Sequence, residues 1–364
     1  MLSNEDRDYL CEKYRLHFPN SNSLLNHIMT RIRSERAQLS PELTHSIVSV
    51  GDFVRLWLNT PACRFSQQGS CTICNYWRGC KIDNLMERVL PQLRLPDGVD
   101  TLLVNTCGSC LDPAELTVEE QNDLLAWISI QKVRTVILET HRHTLTEDTV
   151  ARVCSRLRNC EVMFEVGQES LDPDVLFFSM NKPSVRTDIR AITEHIHRWG
   201  AKCIFNVILG APMLTPKEQM EDALSSINRM LELGADYITL FPVNIKPHTL
   251  PYYLHKIGEY HPIRIELVLE VLNRIKTEYL LRVNVSWYGE FIEEGVIPPQ
   301  YPSRNKESLL ELMGEYNSCP DSMGRRRILE QCQELCTNTF DDSPKDVGFV
   351  QRIDRCYTLL SEML

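Results

Sequence analysis

The sequence predicts an α/β domain built around a partial parallel barrel. Six short runs have the alternating, apolar composition of strands, and they lie at 52–59, 101–105, 135–139, 162–166, 203–208 and 237–241. Successive runs are roughly 30 to 45 residues apart and are separated by amphipathic segments of helix length, which is the spacing of a repeated β/α unit. With 364 residues, of which 43% are apolar, the chain can bury a sizeable core.

The residues before the first strand are predicted to form a helical N-terminal extension over 1–50. Leu25, Ile28 and Ile32 recur at helical spacing, and the serine and proline at 40–41 are typical of a helix start. This interpretation makes residues 4–48 helical.

The rest of the chain divides into two further regions in the sequence-based prediction. Residues 51–262 form the barrel, and residues 263–364 form a mainly helical region packed on it. No Gly/Ser/Pro-rich linker separates them. Helices are expected in the last region at 263–280, 305–315 and 323–337.

Charge and composition exclude several classes of protein. The formal net charge of −10 and the 24% charged content argue against a protein that coats nucleic acid by bulk electrostatics. No apolar run reaches the roughly 18 residues of a membrane span, and the N-terminus lacks the pattern of a secretory signal. We therefore expect a cytoplasmic protein with no membrane partner. Its 14 cysteines then call for burial or metal binding and not for a disulfide framework.

The most informative motif is a cysteine-rich loop directly after the first strand. Cys63, Cys71 and Cys74 have the spacing C-x7-C-x2-C. Three thiolates can hold three irons of a 4Fe-4S cluster and leave the fourth iron open. The alternative is a structural zinc site, which usually takes four protein ligands, and Cys80 is the nearest candidate for the fourth.

This loop, with the aromatic Tyr76 close after its last cysteine, resembles the radical S-adenosylmethionine (radical SAM) superfamily, and its spacing resembles the elongator-like branch. The resemblance implies a (β/α)6 partial TIM-type barrel that binds a 4Fe-4S cluster and S-adenosylmethionine (SAM). It also implies reductive cleavage of SAM to a 5′-deoxyadenosyl radical, with an electron donor such as flavodoxin or ferredoxin.

The resemblance extends to residues that follow the next two strands. Gly108 and Ser109 correspond to the small residues that let the methionine end of SAM approach the backbone. Glu139, at the end of the third strand, corresponds to an acidic residue that receives the amino group of SAM.

The later strands carry further positions that the resemblance assigns to SAM. Gln168 or Glu169 after the fourth strand, and Asn206 on the fifth, are expected to contact the ribose. Gly210 and Pro242 lie in turns that are expected to contact the adenine. A capped helix start or an ordinary turn would also account for these residues locally.

Within the superfamily, residues 52–265 resemble the radical SAM subunit of archaeosine synthase. That family's reaction, by implication, is cleavage of a lysine C–N bond on a modified 7-deazaguanine of transfer RNA. The segment Asn317-Ser318-Cys319 departs from the family pattern because its second cysteine is missing. The basic run at 325–327 is explained equally well by an amphipathic helix face.

Three functions follow as hypotheses. The first is a radical SAM enzyme that abstracts a hydrogen from a small, amino-acid-derived substrate, which the acidic charge favours. The second is an archaeosine-synthase-like lyase acting on transfer RNA, and the third is a non-catalytic zinc or iron–sulfur protein. For quenching of a product radical the candidates are Cys107, Cys110, Tyr252 and Tyr288.

Overall fold

The computed structural model describes residues 2–34, 38–67, 69–182, 188–286, 295–336 and 347–363. Its centre is a single eight-stranded sheet in which the strands follow one another in sequence order. The strands are β1 (His45–Val50), β2 (Phe53–Leu58), β3 (Thr101–Asn105), β4 (Thr135–Thr140), β5 (Glu161–Glu169), β6 (Lys202–Leu209), β7 (Tyr237–Pro242) and β8 (Val283–Val285). All six predicted strands are present as β2 to β7.

β1 pairs antiparallel with β2, and every later pairing is parallel. Among the described residues no pairing joins β8 back to β1, so the barrel is partial, as predicted. Because parallel strands in such a sheet end at the same edge, the loops after β2 to β7 are gathered on one side.

Helices cover the outer face of this sheet, and further helices form the N-terminal and C-terminal regions of the chain. They are α1 (Asn4–Tyr14), α2 (Ser23–Ser34), α3 (Arg64–Gln67), α4 (Leu85–Val89), α5 (Val118–Ser129), α6 (Glu147–Arg156), α7 (Ile189–Arg198), α8 (Pro216–Glu232), α9 (Leu250–Lys256), α10 (Ile265–Arg274), α11 (Lys306–Ser318), α12 (Ser322–Leu335) and α13 (Phe349–Met363). None of the described helices has both the length and the apolar composition of a membrane span.

Alternation along each strand separates the core from the barrel interior. In β2 the side chains of Val54, Leu56 and Leu58 are fully buried in the main hydrophobic core, which they share with residues of the outer helices. Arg55 and Trp57, which alternate with them, are only half-buried. Successive side chains point to opposite faces of a strand, so these two face the interior of the barrel.

The predicted N-terminal helical extension is only partly correct. α1 and α2 exist, but residues 41–42 form a turn and not a helix start, and residues 45–50 form β1. Ile47 of β1 lies opposite Leu56 of β2. The alternating, β-branched composition of this segment and the free edge of β2 account for the strand.

The C-terminal region is mainly helical, as predicted, but it also contributes β8 to the sheet. Strand β8 pairs with β7, so the sheet crosses the predicted boundary at residue 262. Asn317, in the segment where the family pattern is broken, accepts a hydrogen bond from the Val285 amide at 2.9 Å and donates one to the Val285 carbonyl at 2.7 Å. This asparagine therefore holds the edge of β8.

Candidate active site

The three motif cysteines line a single cavity at the carboxyl ends of the strands. The cavity contains about 930 Å³ of empty space, counting the part that opens to solvent, and Cys63, Cys71 and Cys74 share it with residues that follow β3 to β7. The sulfur atoms of Cys71 and Cys74 are 3.8 Å apart. The Cys63 sulfur is 3.3 Å from Nε2 of His141.

The cysteine loop is fixed by backbone hydrogen bonds to the segment after β5. The amides of Cys71 and Thr72 donate to the carbonyls of Asn181 and Met180, at 3.1 and 3.0 Å. Cys71 adopts a φ of 58°, a left-handed conformation that is uncommon outside glycine. Such a conformation persists only where the surroundings hold it, and these bonds do so.

A buried arginine from α2 supports the same loop from behind. The guanidinium of Arg33, which is 7% exposed, donates to the carbonyl oxygens of Ser66 and Cys71. Burial lowers the pKa of Arg33, and the nearby cysteine thiolates oppose that shift. The arginine thus satisfies two loop carbonyls and places a positive charge beside the cysteines.

Gly69 allows the loop to pack against α2. Its φ is +72°, and a Cβ at this position would lie 2.7 Å from both the Asn26 carbonyl oxygen and Oγ1 of Thr30.

We expect Gly69→Ala to destabilise the protein by about 2 kcal/mol more than Gly98→Ala, because only the first substitution adds a clash to the backbone strain. Gly98 has a φ of +79° and open space around it. Urea denaturation of the two variants tests this, and equal losses would contradict it.

Burial and neighbouring charges set the protonation of the thiols. Burial raises the pKa of Cys63 to about 12. Within the close pair, the hydrogen bond to Cys74 raises the pKa of Cys71 and lowers that of Cys74. Iron binds the thiolate and not the thiol. Ligation to a cluster would therefore stabilise the deprotonated form of these sulfurs, which burial disfavours.

The loop after β3 packs directly on the cysteine loop. Gly108 lines the cavity, and a Cβ there would lie 2.9 Å from the Cα of Cys63. The buried Glu115 accepts hydrogen bonds from Thr60 and Thr106 and from the Ser109 amide, and burial raises its pKa to about 7. Gly108 is therefore small because Cys63 lies against it, which the sequence did not indicate.

The side chain of Ser109 joins the loops after β3 and β4. Its fully buried hydroxyl is 2.8 Å from that of Thr140 and accepts from the His141 amide at 3.3 Å. Ser109 is not among the residues that line the cavity, whereas its neighbour Gly108 is. The expectation that these small residues let SAM approach the backbone stays a prediction.

Glu139 lines the cavity at the end of β4, and its contact with the amino group of SAM stays a prediction. Burial raises the pKa of its carboxyl, and the charge of Glu165 on β5 raises it further, while a hydrogen bond from the Asn105 amide lowers it. A buried carboxyl beside a second carboxyl gains free energy from a cationic partner. This environment suits an ammonium group.

The loop after β5 offered two candidates, and the structure separates them. Glu169 lines the cavity and forms an ion pair with Lys182, with 2.5 Å between Oε1 and Nζ. Gln168 lies outside it, because its side chain accepts from Arg142 at 3.1 Å and donates to the Ser170 carbonyl at 3.0 Å. The cavity lining favours Glu169 over Gln168, and a contact of either with the ribose stays a prediction.

Asn206 on β6 and Pro242 at the end of β7 both line the cavity, and Oδ1 of Asn206 is buried with no hydrogen-bond partner among the described residues. Gly210 does not line it. Its φ is +114°, its carbonyl accepts from the Tyr260 hydroxyl at 2.7 Å, and a Cβ would lie 2.7 Å from Ile263. Gly210 is thus required by a tight turn packed on Ile263, and a contact of this turn with the adenine stays a prediction.

No protein-family model matches the chain. Sequence similarity connects it to archaeosine synthase subunit beta. The chain is 25% identical over 225 residues to that subunit from Methanosarcina acetivorans, a match that covers 60% of this chain and 65% of the relative. It is 24% identical over 219 residues to the subunit from Thermococcus kodakarensis, a match that covers 58% of this chain and 67% of the relative.

The predicted resemblance to the radical SAM superfamily is confirmed. Among solved structures, archaeal Elp3 from Methanocaldococcus infernus is similar, with 19% identity and a TM-score of 0.45 over 64% of this chain and 57% of that one.

The four candidates for radical quenching lie in different places. Cys107 lines a second cavity beside the first, and burial raises its pKa to about 12. The Cys110 thiol instead donates to the Glu139 carbonyl at 3.0 Å, and Tyr252 packs against Lys256 on α9. Tyr288 lies outside the described residues. Of the described candidates only Cys107 lines either of these two cavities, and its role stays a prediction.

Three supporting residues were missed from the sequence: Arg33, Glu115 and Lys182. Arg33 carried a signal, because it lies four residues after Met29 and eight after Leu25 and so continues the apolar face of α2. A charge on that face requires a buried partner. The other two stand in loops, where no periodicity predicts the direction of a side chain.

Proposed function

We propose that this chain is a radical SAM enzyme that binds a 4Fe-4S cluster through Cys63, Cys71 and Cys74. The observation that carries the proposal is that these cysteines share one cavity with Glu139, Glu169 and Asn206, which come from three different strands of the partial barrel. SAM binds in this cavity. A 4Fe-4S cluster held by these three cysteines would supply the one-electron reduction of SAM that yields a 5′-deoxyadenosyl radical.

The chain's own residues bind and orient the cofactor. Glu139 accepts the amino group of SAM, and its buried environment favours a cationic partner. Lys182 faces the same cavity as the cysteines, where its positive charge balances theirs. Asn206 offers the ribose a carbonyl oxygen that has no partner in the part of the chain that the structure describes. The surrounding barrel excludes water from the reaction.

The substrate is proposed to be small and derived from an amino acid. Two arginines of the basic run at 325–327 form hydrogen bonds within the fold. Arg325 is 5% exposed and donates to the carbonyls of Leu280 and Val283, and the half-buried Arg326 donates to the carbonyl of Ile275 at 2.7 Å. Arg327 is exposed, so the run offers one exposed cation and not three, which weakens the case for transfer RNA.

The second candidate is an archaeosine-synthase-like lyase that cleaves a lysine C–N bond on a modified 7-deazaguanine of transfer RNA. The similarity at 25% identity to archaeosine synthase subunit beta favours it. In either case an external protein such as flavodoxin or ferredoxin supplies the electron. Salt-dependent retardation of transfer RNA at submicromolar protein would favour this second candidate.

The test common to both candidates is release of 5′-deoxyadenosine. Anaerobically reconstituted protein should contain about four iron atoms per chain. On addition of SAM and dithionite it should release 5′-deoxyadenosine, measured by liquid chromatography with mass detection. The same mixture without dithionite should release none. A protein that holds zinc and no iron, or holds iron but never cleaves SAM, would refute the proposal.

A further inference from the structure

A second cavity lies beside the cysteine cavity, across the open side of the partial barrel. It contains about 1130 Å³ of empty space, counting the part open to solvent. Its walls come from the first two strands of the sheet, with Ser46 of β1 and Arg55 and Trp57 of β2, and from the loop after β7, with Asn244 and Lys246. A pocket of this kind is large enough for a small-molecule ligand.

The two cavities adjoin each other. Tyr76, Asn244 and Lys246 line both of them, and the Lys246 ammonium lies 5.8 Å from the centre of the Tyr76 ring. A molecule in the second cavity would therefore lie next to a cofactor in the first.

The lining of the second cavity has one sign of charge. Arg55, Arg78 and Lys246 contribute cationic side chains, and no aspartate or glutamate is among the described residues that line it. The chain as a whole carries a net charge of −10, so the charge of the cavity lining is opposite in sign to that of the whole chain. Cationic side chains in a cavity that is partly shielded from water attract and bind an anionic group.

Polar atoms without partners stand in the same wall. Nε of Arg78 and the Oδ1 atoms of Asn105 and Asn244 are buried and make no hydrogen bond within the described structure. The orientation of the Asn105 amide is fixed, because its nitrogen donates to Glu139. A buried polar atom without a partner is costly, so these atoms indicate a missing ligand. The two oxygens require donors, whereas the guanidinium requires an acceptor.

We propose that the second cavity is the substrate site and that it binds a small amino acid derivative by its carboxylate and its N–H groups. This inference rests on the proposed radical SAM function. Arg78 and Lys246 bind the carboxylate, and Asn105 and Asn244 accept hydrogen bonds from the nitrogen. Trp57 and Leu43 form the apolar wall for the side chain of the substrate.

Ligand-observed NMR on the reconstituted full chain, without SAM or reductant, tests the assignment. The probes are the common amino acids, each compared by saturation transfer with its own carboxamide. At least one amino acid should bind while its carboxamide does not. Arg78→Gln and Lys246→Gln should each weaken that binding about tenfold, the loss expected when one charge-assisted hydrogen bond is removed.

Lys217→Gln is the matched control, because it removes an exposed lysine on α8 that lines neither cavity. Its affinity should equal that of the unaltered protein. Equal binding of acids and carboxamides, or no amino acid binding, would overturn the assignment. So would binding of transfer RNA alone. Because this readout needs no SAM cleavage, its failure is distinct from failure to release 5′-deoxyadenosine.

Discussion

Replacing Cys74 with alanine should abolish both the iron–sulfur cluster and the release of 5′-deoxyadenosine. Three protein thiolates hold a cluster of this kind, and the cysteine cavity contains no fourth cysteine among the described residues that could substitute. Loss of one ligand leaves only two. The measurements are iron content after anaerobic reconstitution, the visible absorption of the cluster, and 5′-deoxyadenosine released on reduction with SAM.

Cys80→Ala is the matched control for this experiment. Cys80 is a buried cysteine six residues further along, but it packs in the hydrophobic core and accepts a hydrogen bond from Asn59 at 3.5 Å. Its replacement should cost about 1 kcal/mol of stability and leave the iron content unchanged. If Cys74→Ala retained its iron while Cys80→Ala lost it, the ligand set would include Cys80 and the zinc-like alternative would regain support.

The sequence was sufficient to predict strands β2 to β7 and where their carboxyl ends meet, although not β1 or β8. Cys63, Glu139, Asn206 and Pro242 are far apart along the chain but line one cavity. The reason is topological, because the carboxyl ends of parallel strands in a β/α array lie at one edge. A pattern of alternating strands and helices therefore predicts that residues at the carboxyl ends of the strands lie close together, without any knowledge of tertiary contacts.

The direction of individual side chains was not predictable in the same way. Gln168 and Glu169 are neighbours at the end of β5, and the pairing of β5 with β6 shifts register between Gly167 and Glu169. A bulge changes which residue faces a given side of the sheet. Alternation alone could not decide between the two, and only Glu169 lines the cysteine cavity.

Long-range packing explains the other differences. Arg33 belongs to α2, and its partners in the cysteine loop are more than thirty residues away in the chain. β1 forms because β2 offers it an edge, although the preceding helices suggested that the helical pattern would continue. Local periodicity in the sequence shows which face of a helix or strand is apolar. The burial of Arg33 and the formation of β1 depend instead on which other element packs against that face or edge.

Replacing Lys182 with methionine should destabilise the cofactor-free chain by about 3 to 5 kcal/mol, because it leaves the charge of Glu169 buried without its partner. The side chains of Lys182 and Glu169 are 11% and 12% exposed. Burial opposes the charge on Lys182, but Glu169 and the nearby cysteines raise its pKa above the ordinary value. Urea denaturation measures the loss.

A second substitution distinguishes loss of a partner from loss of packing. Lys182→Met combined with Glu169→Leu removes both charges and should recover much of the lost stability, since well-packed apolar groups often replace a buried ion pair at little cost. Arg198→Met is the control, because it breaks the exposed pair with Glu147, whose side chains are 55% and 59% exposed. That change should cost less than about 1 kcal/mol. If Lys182→Met lowered the free energy of unfolding no more than Arg198→Met does, the Glu169 charge would be solvated. The cysteine cavity would then be too open to water to protect a radical.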